Sequence, residues 1–197
     1  AEARLKAAGV TEVMLTQRHG ALVDTVVEFE AEADLLVVGK RGEAANFAVG
    51  HLGANLERVL RASILPVLVA SRAFKPIKRF AIAYDGGPTA MKVVDYAARN
   101  ASLNGLECEL LTVTADEAAG RAMLEKPAKL LSGTGKTVIA KVLHGEPEVA
   151  IAAHIAEAGI DLLVMGAYGH GRLRNMIVGS TTTALLRSCK IPVLVFR

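Results

Sequence analysis

DLLVMGAYGHGRLRNMIVGSTTTALL, residues 161–186, carries three patterns in one run. DLLVM is a short apolar stretch of strand length, of the kind buried on both faces in a parallel sheet. Gly166, Gly169 and Gly179 then mark a long loop. Ser180, Thr181 and Thr182 open a segment whose apolar residues return at helical spacing. IPVLV at 191–195 supplies a second strand, so the whole reads as strand, loop, helix, strand. That is the crossover unit of a parallel sheet.

The loop has a chemistry of its own. Carboxyl ends of strands are where doubly wound sheets bind ligands. Glycines let backbone amides approach a phosphate with no Cβ in the way. Ser180 is placed to cap the helix and donate its hydroxyl, and first-turn amides with the helix dipole favour an anion. A purely structural turn is the other reading of the same residues.

Moving outward, the unit recurs. DLLVVGKRG at 34–42 matches DLLVMGAYG at 161–169, LPVLV at 65–69 matches IPVLV at 191–195, and RHG at 18–20 matches LHG at 143–145. The offset stays near 126 residues. Three matches in one order at nearly the same offset are an internal repeat.

The second copy alternates cleanly. RFAIAYD (79–85) reads as a strand ending in an Asp-Gly-Gly-Pro turn, and 89–105 as a helix closing at Gly105. ECELLTVTA is a strand, and DEAAGRAMLEKPAKLLSG a weaker helix interrupted by Pro127. TVIAKVLHG is a strand, EPEVAIAAHIAEAG a helix, and the opening stretch with IPVLVFR completes the order. This βαβαβαβαβ pattern predicts an α/β fold: a doubly wound, open, parallel five-stranded sheet covered by helices on both faces.

The first copy predicts helix 1–8, strand 10–17, helix 21–33, strand 34–39, helix 53–62 and strand 65–70. It has no counterparts of RFAIAYD and ECELLTV. Residues 1–70 therefore read as the C-terminal part of a first domain, 71–78 as a linker, and 79–197 as a complete second domain. The chain starts without Met, as expected of a processed or truncated form.

GTGKT at 133–137 resembles a phosphate-binding loop and fails as one. The GxxxxGK[ST] pattern needs glycine at 130, where Leu130 stands. The true loop runs from strand to helix, whereas this one runs from a helix into the strand TVIAKV. DLLVM also begins with its Asp rather than ending in one.

Composition narrows the class. Apolar residues make up 52% of the chain and Trp is absent, a balance that suits buried parallel strands. The longest apolar runs, such as ILPVLVA at 64–70, fall far short of a membrane span, and AEARLKAAGV is no signal peptide. A net charge of +3 from scattered basic residues, with few aromatics, gives no support to nucleic-acid binding. Cys108 and Cys189 belong to no ligand spacing and read as reduced, buried thiols of a cytoplasmic protein.

Gly166-x2-Gly169-x9-Gly179-Ser180, with the strand before it and IPVLV after it, resembles the nucleotide-binding motif of the universal stress protein family. The resemblance covers essentially the whole chain, and tandem members with two domains are known in that family. It implies the adenine nucleotide alpha hydrolase-like arrangement of the fold and an adenine nucleotide, ATP or AMP, as ligand, with magnesium accompanying ATP. It also implies a stress-response sensor or regulator.

Residue by residue, Asp85 matches the family's acidic position near the adenosine; by itself it also starts the DGGP turn. Ala83 matches a position whose backbone edge faces adenine, and Val113 a position beside the base. Gly166, Gly169, Gly179, Ser180 and Thr181 match the ribose- and phosphate-contacting loop. Arg172 is placed to reach a terminal phosphate or to stay a solvated surface arginine. The family pairs domains through their last strands, which implies a homodimer or an intrachain pseudo-dimer through 65–70 and 191–196.

The first copy departs from the motif. Ten residues separate Gly42 from Gly53, and Ala54 stands for the serine. That half is expected not to bind nucleotide in the family's way; Lys40, Arg41 and His51 leave another anion open.

No nucleophile elbow, carboxylate pair or HxxxH spacing appears among the five histidines, so no catalytic residue is assigned. The family's range still implies two alternatives to a sensor. One is a dimerising scaffold independent of nucleotide. The other is slow ATP hydrolysis or self-phosphorylation at Ser180 or a neighbouring threonine.

Overall fold

The computed structural model describes residues 2–40, 54–167 and 179–197. Its centre is the second copy. β3 (Arg79–Ala83), β4 (Glu107–Val113), β5 (Val138–Leu143), β6 (Leu162–Gly166) and β7 (Val193–Phe196) run parallel in the order β7-β6-β3-β4-β5. The expected five-stranded parallel sheet is present, and the first copy extends it. β1 (Leu36–Gly39) pairs parallel with β2 (Val67–Ala70), and β2 pairs antiparallel with β7. Val67 faces Val195, Leu68 faces Leu194 and Val69 faces Val193, so LPVLV and IPVLV join within the chain. Among the described residues the result is one seven-stranded sheet.

Helices cover both faces because the central strands, such as β6 and β7, are apolar and buried on both sides. On one face α6 (Pro147–Ala158), α7 (Ser180–Ser188) and α3 (Ala54–Ala62) pack over Leu111, Leu163 and Val193. On the other, α4 (Pro88–Arg99) and α5 (Glu117–Ser132) pack over Phe80, Leu110 and Val164. α4 starts with Pro88 in its first turn, where no N–H is missed, and buries Ala90, Val93, Val94 and Ala97. It ends at Arg99, before the expected Gly105, and a single tighter turn (Ala101–Leu103) completes the segment.

Two other expectations are corrected. α5 runs unbroken through Pro127. Asp116 caps it by accepting from the Ala119 amide at 3.0 Å, and Pro127 lies on the buried row with Gly120, Leu124 and Leu131. Packing of that row outweighs the one helical bond the proline forgoes. A Cβ on Gly120 would lie 2.8 Å from a Thr114 methyl and 2.9 Å from Val142, so glycine is what lets α5 approach the sheet.

The strand expected at 10–17 is absent; the segment is not in a ladder, and Met14 is exposed. Its repeat counterpart is β5, which pairs with β4; among the described residues no strand stands beside 10–17 in that way. A strand without a ladder partner leaves its backbone groups to water instead. α1 (Glu2–Ala7) and α2 (Leu22–Phe29) fall within the expected helices.

Candidate functional site

The carboxyl ends of β3, β4 and β6 open into a cavity of about 300 Å³. It is lined by Ala83, Tyr84, Asp85, Ala90, Leu111, Thr112, Val113, Pro147, Ile151, Met165, Gly166, Thr181 and Thr182. Apolar side chains form most of the wall, with Asp85 and the threonines as polar groups, a balance typical of small-molecule sites.

β3 places its end by register: Ala83 lies between Leu111 of β4 and Met165 of β6. The Tyr84 amide continues the ladder to the Leu111 carbonyl at 2.8 Å. Its phenol donates toward the Met91 sulfur at 3.1 Å. Burial, and then the Asp85 charge, push the Tyr84 phenol above its ordinary range, so it stays protonated. Asp85 Oδ1 accepts from the Gly87 amide at 2.8 Å, so the turn reading of DGGP holds while the residue also lines the cavity.

The β6 side is built by α7. The Gly179 amide donates to the Ala167 carbonyl at 3.1 Å, and the buried Thr182 hydroxyl reaches the Gly166 and Ala167 carbonyls at 3.2 and 3.1 Å. Ser180 does not cap the helix, contrary to expectation: Gly179 is the cap residue, no side chain bonds there, and Ser180 is the exposed first helical residue. The helix starts one residue earlier than a serine cap requires, so no side-chain oxygen bonds the amides at its start. Those amides and the helix dipole give this end of the cavity a positive character.

Of the residues expected at a site, Ala83, Asp85, Val113, Gly166 and Thr181 line this one cavity, and Gly179 and Ser180 flank it at the start of α7. Gly169 and Arg172 lie outside the described residues, as do Arg41, Gly42, His51 and Gly53 of the first copy. Lys40 donates to the Cys189 carbonyl at the end of α7. Sequence reasoning missed Pro147 and Ile151, which come from α6. The signal was there: α6 begins just after the carboxyl end of β5, on the ligand-binding edge of such sheets. Tyr84, Thr112 and Met165 sit beside expected residues and were passed over.

GTGKT lies at the opposite end of the sheet. Lys136, only 5% exposed, donates to Asn104 Oδ1 at 2.8 Å and to the Ala98 carbonyl at 3.3 Å, so its ammonium is used within the fold. Cys108 and Cys189 are free and buried, and burial pushes the Cys108 thiol up to about 12. Among the described residues no three His, Cys, Asp or Glu side chains gather to hold a metal, and no helix is long and apolar enough to cross a membrane.

Residues 76–197 match the model of the universal stress protein family. A universal stress protein of Synechocystis is 38% identical over 98% of this chain and 68% of its own length. One from Mycobacterium bovis is 27% identical over 89% of the chain and 65% of its own. The chain thus spans about two thirds of these relatives. Among solved structures, a universal stress protein of Archaeoglobus fulgidus superposes with a TM-score of 0.76 at 27% identity, covering 99% of this chain and 72% of that one. Another, solved in complex with cAMP, has a TM-score of 0.53 at 22% identity and covers 62% of this chain and 98% of that one. With its order of strands, the helix-covered parallel sheet and the matched family model, the chain belongs to the universal stress protein family.

Proposed function

We propose that this protein binds an adenine nucleotide, ATP or AMP, in the cavity at the ends of β3, β4 and β6, and acts as a stress-response sensor or regulator. One observation carries the reading. Five residues spread from Ala83 to Thr181, chosen for a motif and its matched positions, line a single cavity. The apolar wall of Leu111, Ile151 and Met165 suits a base, Asp85 suits ribose hydroxyls as an acceptor, and the start of α7 suits phosphate. Gly169, Ser180 and Arg172 complete the phosphate side in this reading. Magnesium enters with ATP; Asp85 is the carboxylate among the lining residues. A solved relative holds cAMP, which supports the nucleotide class.

Binding would regulate through linkage, stabilising the conformation that holds nucleotide. Buried free thiols at Cys108 and Cys189 support a cytoplasmic setting.

Residues 1–70 are, in this reading, the C-terminal part of a first family domain, joined through 71–78 to the second domain at 79–197. The burial of the repeated strands supports it. β6 is buried along Leu162–Met165, whereas β1, of almost the same sequence, leaves Val37 59% exposed on the sheet edge. A run apolar on both faces is a central-strand sequence.

The test is the nucleotide content of natively purified protein, released by heat and identified by chromatography. ATP or AMP near one per chain is expected. No nucleotide on purification, and no saturable binding when ATP or AMP is added, would remove the reading.

A further inference from the structure

Below the cavity, on the face covered by α6, lies a charged cluster with no part in the contacts described above. Glu109, in the middle of β4, is 3% exposed. Its Oε2 lies 2.6 Å from His154 Nε2 on α6 and 2.9 Å from Lys141 Nζ on β5. A carboxylate this deep is costly unless paired and hydrogen-bonded. Burial alone would raise the Glu109 pKa, but hydrogen bonds from His154 and Lys141 hold it below the ordinary range, so it stays ionised.

The cluster shares its supports with the cavity. Leu111 follows Glu109 by two residues, on the same face of β4, and lines the cavity floor. Ile151 precedes His154 by three residues, on the same side of α6, and forms the opposite wall. The helix that carries the imidazole therefore carries a cavity wall.

Beside Glu109, β3 contributes Ala81 and β5 contributes Ile139. α7 turns Thr182, Leu185 and Leu186 inward, and Glu157 on α6 is exposed. The His154 side chain is 13% exposed, which gives solvent protons a route to it.

We infer that His154 is a positioning residue that couples proton uptake to nucleotide binding. Its contact with Glu109 sets how closely α6 and Ile151 close on the cavity. Neutral imidazole donates one hydrogen bond to the carboxylate. Protonated imidazole makes that bond an ion pair, draws α6 down, and adds a positive charge beneath an anionic ligand. Affinity therefore rises as pH falls through the imidazole range, and by linkage the ligand raises proton affinity at His154. The inference rests on the nucleotide reading above.

The experiment is ATP titration of the full chain at about pH 6 and about pH 8, on either side of the ordinary imidazole value. Wild type is compared with His154→Leu and His154→Gln. Phosphate ionisation of ATP itself is common to all three and cancels in the comparison. The ratio of affinities at low and high pH should exceed that of either variant by about fivefold. His154→Gln, which keeps an N–H donor and cannot titrate, should fold like wild type and bind near the wild-type level at the higher pH. It covers the case in which leucine fails to fold above the buried carboxylate. Equal ratios in wild type and His154→Gln overturn the inference and leave the nucleotide reading standing. No ATP binding by wild type at either pH removes both.

Discussion

Thr182, in the first turn of α7, donates its hydroxyl to the carbonyl of Gly166, the last residue of β6, at 3.2 Å. The same hydroxyl lies 3.1 Å from the Ala167 carbonyl, so one buried side chain ties the helix start to the strand end. Thr182→Val keeps the shape and removes the donor. A loss of about 1–3 kcal/mol is expected in urea unfolding, the usual cost of leaving a buried polar partner unsatisfied. Thr182→Ser should keep most of that stability.

Gly179 closes the loop on the other side. A Cβ there would sit 3.3 Å from the Ala167 carbonyl and 3.6 Å from the Thr182 hydroxyl, so any side chain presses on the joint. Its φ of −54° is ordinary for any residue, so crowding rather than backbone strain sets the cost. Gly179→Val is expected to weaken ATP binding by about tenfold or more, about 1.4 kcal/mol. Folding stability should fall by only about 1 kcal/mol. Paired calorimetric binding and urea unfolding separate the two effects.

Gly120 gives a test of packing against propensity. Alanine is the better helix former by about 1 kcal/mol in an exposed helix interior. Here its Cβ would meet a Thr114 methyl at 2.8 Å and Val142 at 2.9 Å, both anchored on or beside the sheet. Overpacking of this kind costs about 1–3 kcal/mol, so Gly120→Ala should destabilise despite its propensity. Thermal unfolding reads the sign directly.

Asp161 anchors the segment that leads into β3. It is 4% exposed; Oδ2 accepts from the Lys78 and Arg79 amides at 2.9 and 3.2 Å, and Lys75 Nζ lies 2.6 Å from Oδ1. Burial alone would raise its pKa, but the Lys75 ammonium and the two amides hold it below the ordinary aspartate value. A carboxylate with a depressed folded pKa contributes stability that is full above its unfolded value and drains as pH falls toward the folded one. Asp161→Asn should therefore be less stable than wild type near neutral pH, by about 1–3 kcal/mol. The gap should narrow below the ordinary aspartate range. Urea unfolding at neutral and acid pH checks both halves.

The second copy was legible because its strands are short apolar runs set between turn residues, and both edges of RFAIA, ECELLTV and DLLVMG find partners. The same kind of pattern at 10–17 misled, since a strand also needs a neighbour, and sequence period says nothing about whether one exists. Pro127 misled in the opposite direction: a local rule of helix breaking yielded to burial of the row from Gly120 to Leu131. At the site, the glycines and Asp85 announced themselves by type and spacing. Ile151 did not, because a wall residue of a cavity looks like any core isoleucine until α6 is seen against β4. Helix starts are uncertain by a residue in any sequence reading, and at Ser180 that single residue decides between a cap and a first turn.

The location of the nucleotide is the central claim, and photolabelling with 2-azido-ATP followed by peptide mass mapping tests it most directly. Label that excess ATP suppresses is predicted on peptides containing Ala83–Asp85, Leu111–Val113 or Ile151, the walls of the cavity. Suppressible label confined to the GTGKT turn at 133–137, or no suppressible label at all, would contradict it.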